Sequence, residues 1–402
     1  MGELKRFVLR LTARSPLLIG DRRADTQYTE SLDHIPGSRL RAAFARAILS
    51  DCPLFDPAEA RDGRRWWVVY QGRPECEGCP WATWCRQFEE IRFTQATPGG
   101  ARILPLTAMG CKVDCGRSGV MDTLLRRLAW QQRLRERPYE DWQPPRFNCV
   151  CGGRLENRGG WYDPRAARPV SGPRRQAFTR LMIDPIRGAA AQGQLYTLLP
   201  IAPGAEFTAQ VEAPAPPPCA ELRVGARTTT GWGRCAVVVT EADESEDVGE
   251  RIGRFQAALE AARQAAGLGP ARDVYLALTL LSPALVGPLP DGSPAQLGAA
   301  ESRAILAAAL GLDRLFPGAE LAHAFTGYEV KGGWRLSDGG WAESRHYLVA
   351  GSVLVLRLRP GDAGELAERC ARAERVGIGE RTEDGFGQVE VCASYHVSEA
   401  VR

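Results

Sequence analysis

Hydrophobic and polar residues alternate at the start of the chain, and the pattern then changes to a helical spacing. The apolar side chains of Lys5–Leu11 fall on one face, which predicts a strand. Over His34–Leu49 the apolar residues recur every three or four positions, and Ser38 is suited to cap the helix start. The chain is therefore predicted to open with a strand and an amphipathic helix.

The second half of the chain repeats this order of elements. The predicted elements are strands at Val274–Leu281 and Ser352–Leu358 and helices at Ser302–Leu310 and Gly364–Arg375. In the first half, Leu195–Leu199 and Glu206–Val211 are predicted to form paired strands. Each half follows strand, helix, strands, helix, loop and strand, close to the βαββαβ order of a ferredoxin-like (RRM-like) unit. The sequence predicts an α+β fold with two such domains in tandem.

Changes in composition mark the boundaries between these parts. Residues 50–170 are rich in Cys, Trp, Arg and Pro, which predicts an insertion in the first domain that is held by metal. The segment Glu241–Glu250 is acidic and poor in apolar residues, and a helical stretch follows it. We therefore place the first domain at residues 1–245, a linker at 246–270 and the second domain at 271–402.

Two glycine-rich segments share one plan. In Arg223–Val239 and in Val376–Val391, an apolar-Gly pair precedes Arg-Thr, then Gly-aromatic-Gly, then a strand-like run. Glycine tolerates positive φ, and successive N–H groups in such turns can bind an anion. Two copies of this plan about 150 residues apart indicate a duplicated domain with the loop at the same place in each copy.

Composition and charge exclude some classes of protein. No stretch approaches the roughly 18 apolar residues of a membrane span. The first residues lack the apolar block of a signal peptide, so we expect a cytoplasmic protein. The net charge of +3 does not by itself indicate nucleic-acid binding, but nearly all basic residues are arginine. Arginine binds phosphate and stacks on bases, although a coding bias explains the same enrichment.

Eight of the twelve cysteines lie between Cys52 and Cys151 and indicate metal binding rather than disulfides. One cluster is C-x2-C-x5-C with an upstream cysteine, a spacing that suits tetrahedral zinc or, less well, an iron–sulfur cluster. A second cluster ends in a close Cys pair and predicts a second zinc. The predicted ligands are Cys52, Cys76, Cys79 and Cys85 in the first cluster, and Cys111, Cys115, Cys149 and Cys151 in the second.

The start of the first helix is a candidate phosphate site. Pro36-Gly37-Ser38 leaves free N–H groups at the helix start, and Arg39, Arg41 and Arg46 add positive charge. An amphipathic helix with a solvated basic face explains the same residues.

These motifs together resemble the CRISPR-associated RAMP superfamily. The resemblance rests on IPGSRLRAAF after the first strand, the two Arg-Thr…Gly-aromatic-Gly loops, AGSVLVL, and the terminal GIGERTEDGFGQV. It runs from residue 5 to about 394 and is greatest to the subunit that holds the 5′ handle of the guide RNA in type III, especially type III-D, effector complexes. That subunit has two ferredoxin-like domains and no required catalysis.

The resemblance implies a non-catalytic RNA-binding subunit of an antiviral ribonucleoprotein. It would grip the repeat-derived 5′ handle of the guide RNA (crRNA) and cap the foot of the RAMP backbone beside the large polymerase-like subunit. The aromatic residues of the loops would stack on a base or pack beneath the loop. The implied RNA contacts are Gly37, Ser38, Arg39, Arg41, Arg227, Thr228, Trp232, Arg381, Thr382 and Phe386.

Three other functions compete with this one. A RAMP endoribonuclease that processes precursor guide RNA would use His34 as general acid or base. A backbone subunit that cleaves target RNA would use Asp25 or Asp33, although such subunits normally have one ferredoxin-like domain. A zinc-stabilised scaffold would bind no RNA.

Overall fold

The computed structural model describes most of the chain. The described residues are 4–20, 28–56, 67–115, 119–137, 147–165, 168–184, 186–188, 190–242, 247–287, 299–335, 340–361 and 363–398. Within these ranges no helix is both long and apolar enough to span a bilayer.

The first half begins with the predicted strand and helix. Its elements are β1 (Lys5–Ala13), β2 (Tyr28–Glu30), α1 (Gly37–Asp51), α2 (Ala82–Gln87), β3 (Arg92–Phe93), β4 (Thr97–Pro98), β5 (Arg102–Ile103), β6 (Ala108–Cys111), β7 (Val120–Asp122), α3 (Leu124–Glu136), β8 (Leu155–Asn157), β9 (Trp161–Asp163), β10 (Arg168–Val170), β11 (Phe178–Ile183), β12 (Ala190–Leu199), β13 (Glu206–Ala213), β14 (Glu221–Arg223) and β15 (Arg234–Glu241).

The main sheet of the first half runs in the order β14-β15-β1-β13-β3, and β4 also pairs with β13. The buried face of β1 carries Phe7, Leu9 and Leu11, which pack with Leu40 and Phe44 of α1 in one core. The alternation of apolar residues in β1 and their helical spacing in α1 thus place both elements on the same core. The predicted pairing of Leu195–Leu199 with Glu206–Val211 is wrong, because β12 pairs with β11 and β2 while β13 pairs with β1.

The second half forms its own sheet in the order β18-β21-β16-β22. Burial of β16 and β21 is nearly continuous, as expected for central strands that carry almost only apolar residues. Its elements are α4 (Val248–Ala265), β16 (Val274–Leu280), β17 (Ala284–Leu285), α5 (Ala299–Ala309), α6 (Leu312–Leu315), β18 (Glu320–Phe325), β19 (Tyr328–Arg335), β20 (Gly340–Leu348), β21 (Val353–Leu358), α7 (Ala363–Val376) and β22 (Val389–Val391).

Two helices from outside residues 271–402 join the second core. Phe255 and Leu259 of α4, in the predicted linker, are buried against the second sheet. Leu124 and Leu128 of α3, in the Cys-rich insertion, are buried in the same core. The insertion is therefore held in part by apolar packing, and it covers the second half of the chain as well as the first.

Candidate nucleic-acid interface and metal centre

The two glycine-rich loops have one backbone conformation. Loop 1 (residues 223–234) and loop 2 (residues 377–387) each place an arginine at positive φ, Arg227 at 60° and Arg381 at 55°. Each arginine starts a short 3-10 turn that ends at a glycine of positive φ, Gly231 at 89° and Gly385 at 83°. The shared sequence plan therefore corresponds to a shared structure.

Each loop is fixed by a second repeated motif that the pattern of glycines alone did not indicate. Ser15-Pro16 follows the first strand of the first half, and Ser282-Pro283 follows that of the second, within S-P-L-L-I-G and S-P-A-L-V-G. Gly233 N donates to Pro16 O at 2.9 Å, and Gly387 N donates to Pro283 O at 2.8 Å. The Ser15 and Ser282 hydroxyls accept from the amides of Arg234 and Gln388. A direct comparison of the segments after the two first strands would have found this motif.

Loop 2 is packed between the two halves. A Cβ on Gly385 would lie 2.5 Å from Phe93 O, and one on Gly37 would lie 2.6 Å from Asp384 O, so the start of α1 touches the loop backbone. The carboxylate of Asp384 is buried and pairs with Arg41, at 3.4 Å, and with Arg381. These contacts place Gly37 and Arg41 in a joint between the start of α1 and loop 2.

Other predicted contacts of loop 2 are also engaged within the chain. Thr382 Oγ1 accepts from Arg92 Nη1 at 3.2 Å, and Phe386 lies 5.6 Å from the ring of Tyr347. Burial lowers the pKa of Arg41, an effect that the nearby Asp384 carboxylate opposes. The environment of loop 2 is therefore that of a packed junction.

Loop 1 faces solvent. Its exposed residues include Arg227, Thr230 and Gly231, and a Cβ on Gly231 would meet no heavy atom within 4 Å. Arg227 Nη2 donates to the hydroxyl of Tyr196 at 3.1 Å, and its Cζ lies 5.5 Å from that ring. Trp232 is buried against Phe178, so this aromatic residue packs beneath the loop.

Helix α1 spans the distance between the loops. Its first turn contacts loop 2, and Arg46 in its third turn donates to Thr228 Oγ1 of loop 1 at 2.5 Å. Arg39, Ala42 and Arg46 are exposed along one face, while Ser38 is half-buried. Arg46 was predicted to add positive charge near the candidate phosphate site but was not among the implied RNA contacts, although its spacing of seven residues from Arg39 indicates the same helix face.

The residues proposed for catalysis are only partly brought together. His34 Nδ1 lies 3.0 Å from Asp33 Oδ1, and Trp161 Nε1 donates to Asp33 Oδ2 at 2.6 Å. Burial raises the pKa of Asp33, but the hydrogen bonds from His34 and Trp161 outweigh it and leave the pKa lowered. Asp25 lies outside the described residues.

The second cysteine cluster forms a compact group of four sulfurs. The Sγ atoms of Cys111, Cys115, Cys149 and Cys151 all lie within 4.8 Å of one another, including a Cys111–Cys151 distance of 3.7 Å and a Cys115–Cys149 distance of 3.2 Å. Tetrahedral zinc with four sulfur ligands requires about 3.8 Å between sulfurs. The group therefore fits a structural metal ion.

A small three-stranded sheet positions the cysteines of this group. Cys111 ends β6, which pairs with β7 and β8, and the Cys149–Cys151 turn precedes β8. Hydrogen bonding with Cys149 raises the pKa of Cys151 to about 12, and a bound cation would instead favour the thiolate.

The first cysteine cluster is looser. Among the described residues, Cys52, Cys76, Cys79 and Cys85 do not form a group as compact as that of the second cluster. The four thiols are nevertheless neighbours, since burial and then Cys79, Cys52 and Cys76 raise the pKa of Cys85 to about 11. A metal site at the first cluster stays a prediction.

Comparisons with known proteins complete the description of the chain. No family model and no curated protein matches it. A chain of the type III-B Cmr-beta complex bound to cognate target RNA and AMPPnP is similar, with 11% identity, coverage of 87% of this chain and 86% of that chain, and a TM-score of 0.36. A chain of a type IV-B CRISPR complex has 12% identity and a TM-score of 0.27, and the match covers 60% of this chain and 92% of that chain. These values assign neither a family nor a function.

Proposed function

We propose that this chain is a non-catalytic RNA-binding subunit of a type III CRISPR effector complex, most like type III-D. It holds the repeat-derived 5′ handle of the guide RNA at the foot of the RAMP backbone, next to the large polymerase-like subunit, in the cytoplasm. The observation that carries the proposal is the arrangement of two duplicated glycine-rich loops along α1, one at its first turn and one at Arg46 in its third turn, with exposed arginines between them.

We interpret both main sheets as ferredoxin-like. In the second half, the helices α5 and α7 follow the first and third strands, and the sheet order is fourth, first, third and second strand. In the first half, β15, β1, β13 and β3 repeat this order. The second helix predicted for this half is not formed between β13 and loop 1, a stretch that the structure describes throughout, and β14 precedes loop 1 where α7 precedes loop 2. Two such sheets agree with a handle-binding subunit better than with a single-domain backbone subunit.

One gel experiment tests the proposal. Purified protein is incubated with labelled repeat-containing precursor RNA over a range of salt concentrations, and binding and cleavage are followed together. We expect a shift without cleavage that weakens as salt rises, because phosphate contacts release counterions. Equal binding of an unrelated RNA of the same length, both by the protein alone and in its complex, contradicts the proposal.

The pairing of Asp33 with His34 favours one second candidate, an endoribonuclease. A carboxylate that fixes one imidazole nitrogen orients the ring for general acid–base work at the other. This candidate predicts cleavage within the repeat that His34→Ala abolishes while RNA binding persists. If neither the natural chain nor the His34→Ala variant cleaves the repeat RNA, the endoribonuclease candidate is rejected.

We also propose that the four sulfurs of the second cluster hold zinc, which would supply structural cross-linking and no chemical step. Metal analysis of the purified protein is expected to give at least one zinc per chain, and Cys111→Ser with Cys149→Ser is expected to remove one. The matched pair Cys76→Ser with Cys79→Ser reports on the first cluster. Iron with visible absorption would identify an iron–sulfur cluster instead.

A further inference from the structure

The two loops share a backbone but differ in their acidic residues. Following the common Arg-Thr pair, loop 1 has Thr229-Thr230, whereas loop 2 has Glu383-Asp384. Asp384 thus occupies the position of Thr230. In loop 2 this carboxylate neutralises the arginine that begins the turn, and in loop 1 a hydroxyl stands there instead, donating to Arg227 O at 2.9 Å.

The surroundings of the two loops also differ, and loop 1 is the more open to solvent. Gly385 of loop 2 lies against the backbone of β3 and the start of α1, while the matching Gly231 of loop 1 adjoins open space. Asp384 has both oxygens engaged by arginines of this chain. The side chain of Arg381 is 57% exposed, but the Asp384 carboxylate offsets its positive charge, so loop 2 attracts an anion less than loop 1 does.

Arg234, at the end of loop 1, pairs with the Glu221 carboxylate at 2.9 Å. Arg227 and Arg46, beside the 3-10 turn of loop 1, meet no carboxylate in the contacts of the described residues. Arg227 rests on the ring and hydroxyl of Tyr196, and Arg46 reaches Thr228, the residue that follows Arg227. Arg39 extends the same exposed face of α1 by two turns. A guanidinium supported by an aromatic ring can bind a phosphate edge-on or take a base on its open face.

We propose that the duplicated loops have divided their roles: loop 1, with Arg227, Tyr196 and Arg46, binds the single-stranded RNA, and loop 2 joins the two halves of the protein. This inference rests on the proposed RNA-binding function and narrows it to one of the two loops. The RNA backbone runs over loop 1 and along the Arg39–Arg46 face of α1. Arg381 belongs to the joint through Asp384.

Matched substitutions at equivalent loop positions test this division. Binding of labelled handle RNA is measured for Arg227→Ala and Arg381→Ala, together with unfolding by denaturant for each. We expect Arg227→Ala to weaken binding by about tenfold and to lower the salt dependence by about one phosphate contact, with little change in stability. Arg381→Ala is expected to keep the affinity and lose stability, because Asp384 then retains one cationic partner.

A second pair of variants leaves the arginine in place. Thr230→Asp gives loop 1 the carboxylate of loop 2, and Thr230→Asn is its neutral match of similar size. We expect the aspartate variant to weaken RNA binding through pairing with Arg227 and like-charge repulsion of phosphate, and the asparagine variant to bind nearly as the natural chain does. Arg359→Ala, an exposed arginine beyond β21, controls for general loss of charge.

The outcomes separate this inference from the proposed function. If the natural chain binds handle RNA and Arg381→Ala weakens it as much as Arg227→Ala while remaining equally stable, the division of roles is wrong and the RNA-binding function stands. If Thr230→Asp and Thr230→Asn bind equally well, the electrostatic argument is wrong. If the natural chain shows no preference for handle RNA, the function itself fails, and the inference with it.

Discussion

Gly231 and Gly385 hold the same position in two loops of one conformation. Substituting each in turn separates the cost of backbone strain from the cost of steric crowding. Both have φ above 80°, so any other residue pays for the left-handed conformation at either site. Only at Gly385 would a Cβ also meet backbone, at 2.5 Å from Phe93 O and 2.9 Å from Gly37 Cα. Backbone atoms cannot rotate away as a flexible side chain does.

We therefore expect Gly231→Ala to lower the free energy of unfolding by about 1–2 kcal/mol from conformational strain alone. Gly385→Ala is expected to cost about 1–3 kcal/mol more, because α1 and β3 must move to admit the methyl group. Denaturant unfolding of the two variants gives the difference. Equal losses would show that the joint around loop 2 yields without cost.

The half-buried residue His323 gives a prediction of how the stability of the fold depends on pH. Burial, then the positive charges of Arg303 and Arg135, lower its pKa to about 4 from the ordinary 6.5. As the pH falls, His323 therefore binds a proton at a higher pH in the unfolded chain than in the folded chain. The stability linked to His323 is fully present above pH 6.5 and is lost as pH falls toward the folded pKa.

The free energy of unfolding is expected to fall by about 1 kcal/mol through this residue between about pH 7.5 and about pH 5.5. His323→Gln removes that component and keeps a polar side chain. The measurement is the difference in pH dependence between the two proteins, which is insensitive to the absolute cost of the substitution. Parallel curves would contradict the lowered pKa.

At the scale of elements, local pattern predicted the parts that have regular periodicity. The alternation in β1, the helical spacing in α1 and the apolar run of β21 each gave an element at the expected place. The partners of β12 were not predictable in this way, because its residues suit either neighbour and the choice depends on chain far away in sequence. The glycine loops were found by their motif, but their unequal environments depend on tertiary contacts.

The packing of α3 on α4 also lay beyond the sequence patterns. Arg263 of α4 is buried, donating to Gln132 at 2.5 Å and to Gly269 O at 2.7 Å, and it pairs with Glu136 at 3.0 Å. For α1, arginines at helical spacing were compatible with a solvated face or a phosphate-binding one. An arginine at the centre of a helix junction is not distinguished from these by its spacing.

Arg263→Met is expected to lower the free energy of unfolding by about 3 kcal/mol, because buried polar partners lose their donor while the apolar volume is kept. Arg254→Met, an exposed position on the same helix, is the matched control and is expected to cost much less. Hydrogen exchange should show faster opening of α3 in the Arg263 variant. Unchanged protection of α3 would mean that apolar contacts alone dock the insertion.

On the scale of the whole molecule, three distant segments meet in one buried polar group. Asp122 ends β7 of the insertion, Thr279 lies in β16, and His396 lies close to the end of the described chain. His396 Nδ1 is 2.5 Å from Asp122 Oδ2, and His396 Nε2 is 2.7 Å from Thr279 Oγ1. The imidazole is buried, so these contacts fasten the insertion to the second half rather than offer a reactive surface.

A double-mutant cycle on this group measures the energy of the contact that links the insertion to the second half. Asp122→Asn and His396→Gln each leave a buried polar group with a poorer partner, so each is expected to cost about 1–3 kcal/mol of unfolding free energy. Because the two side chains contact each other, the double variant should lose less than the sum, with a coupling of about 1–2 kcal/mol. Thr230→Asn combined with His396→Gln is the distant control and should be additive. Additivity in both pairs would mean that the Asp122–His396 contact contributes no coupling of its own, whereas coupling only in the first pair supports a direct link between the insertion and the second half through His396.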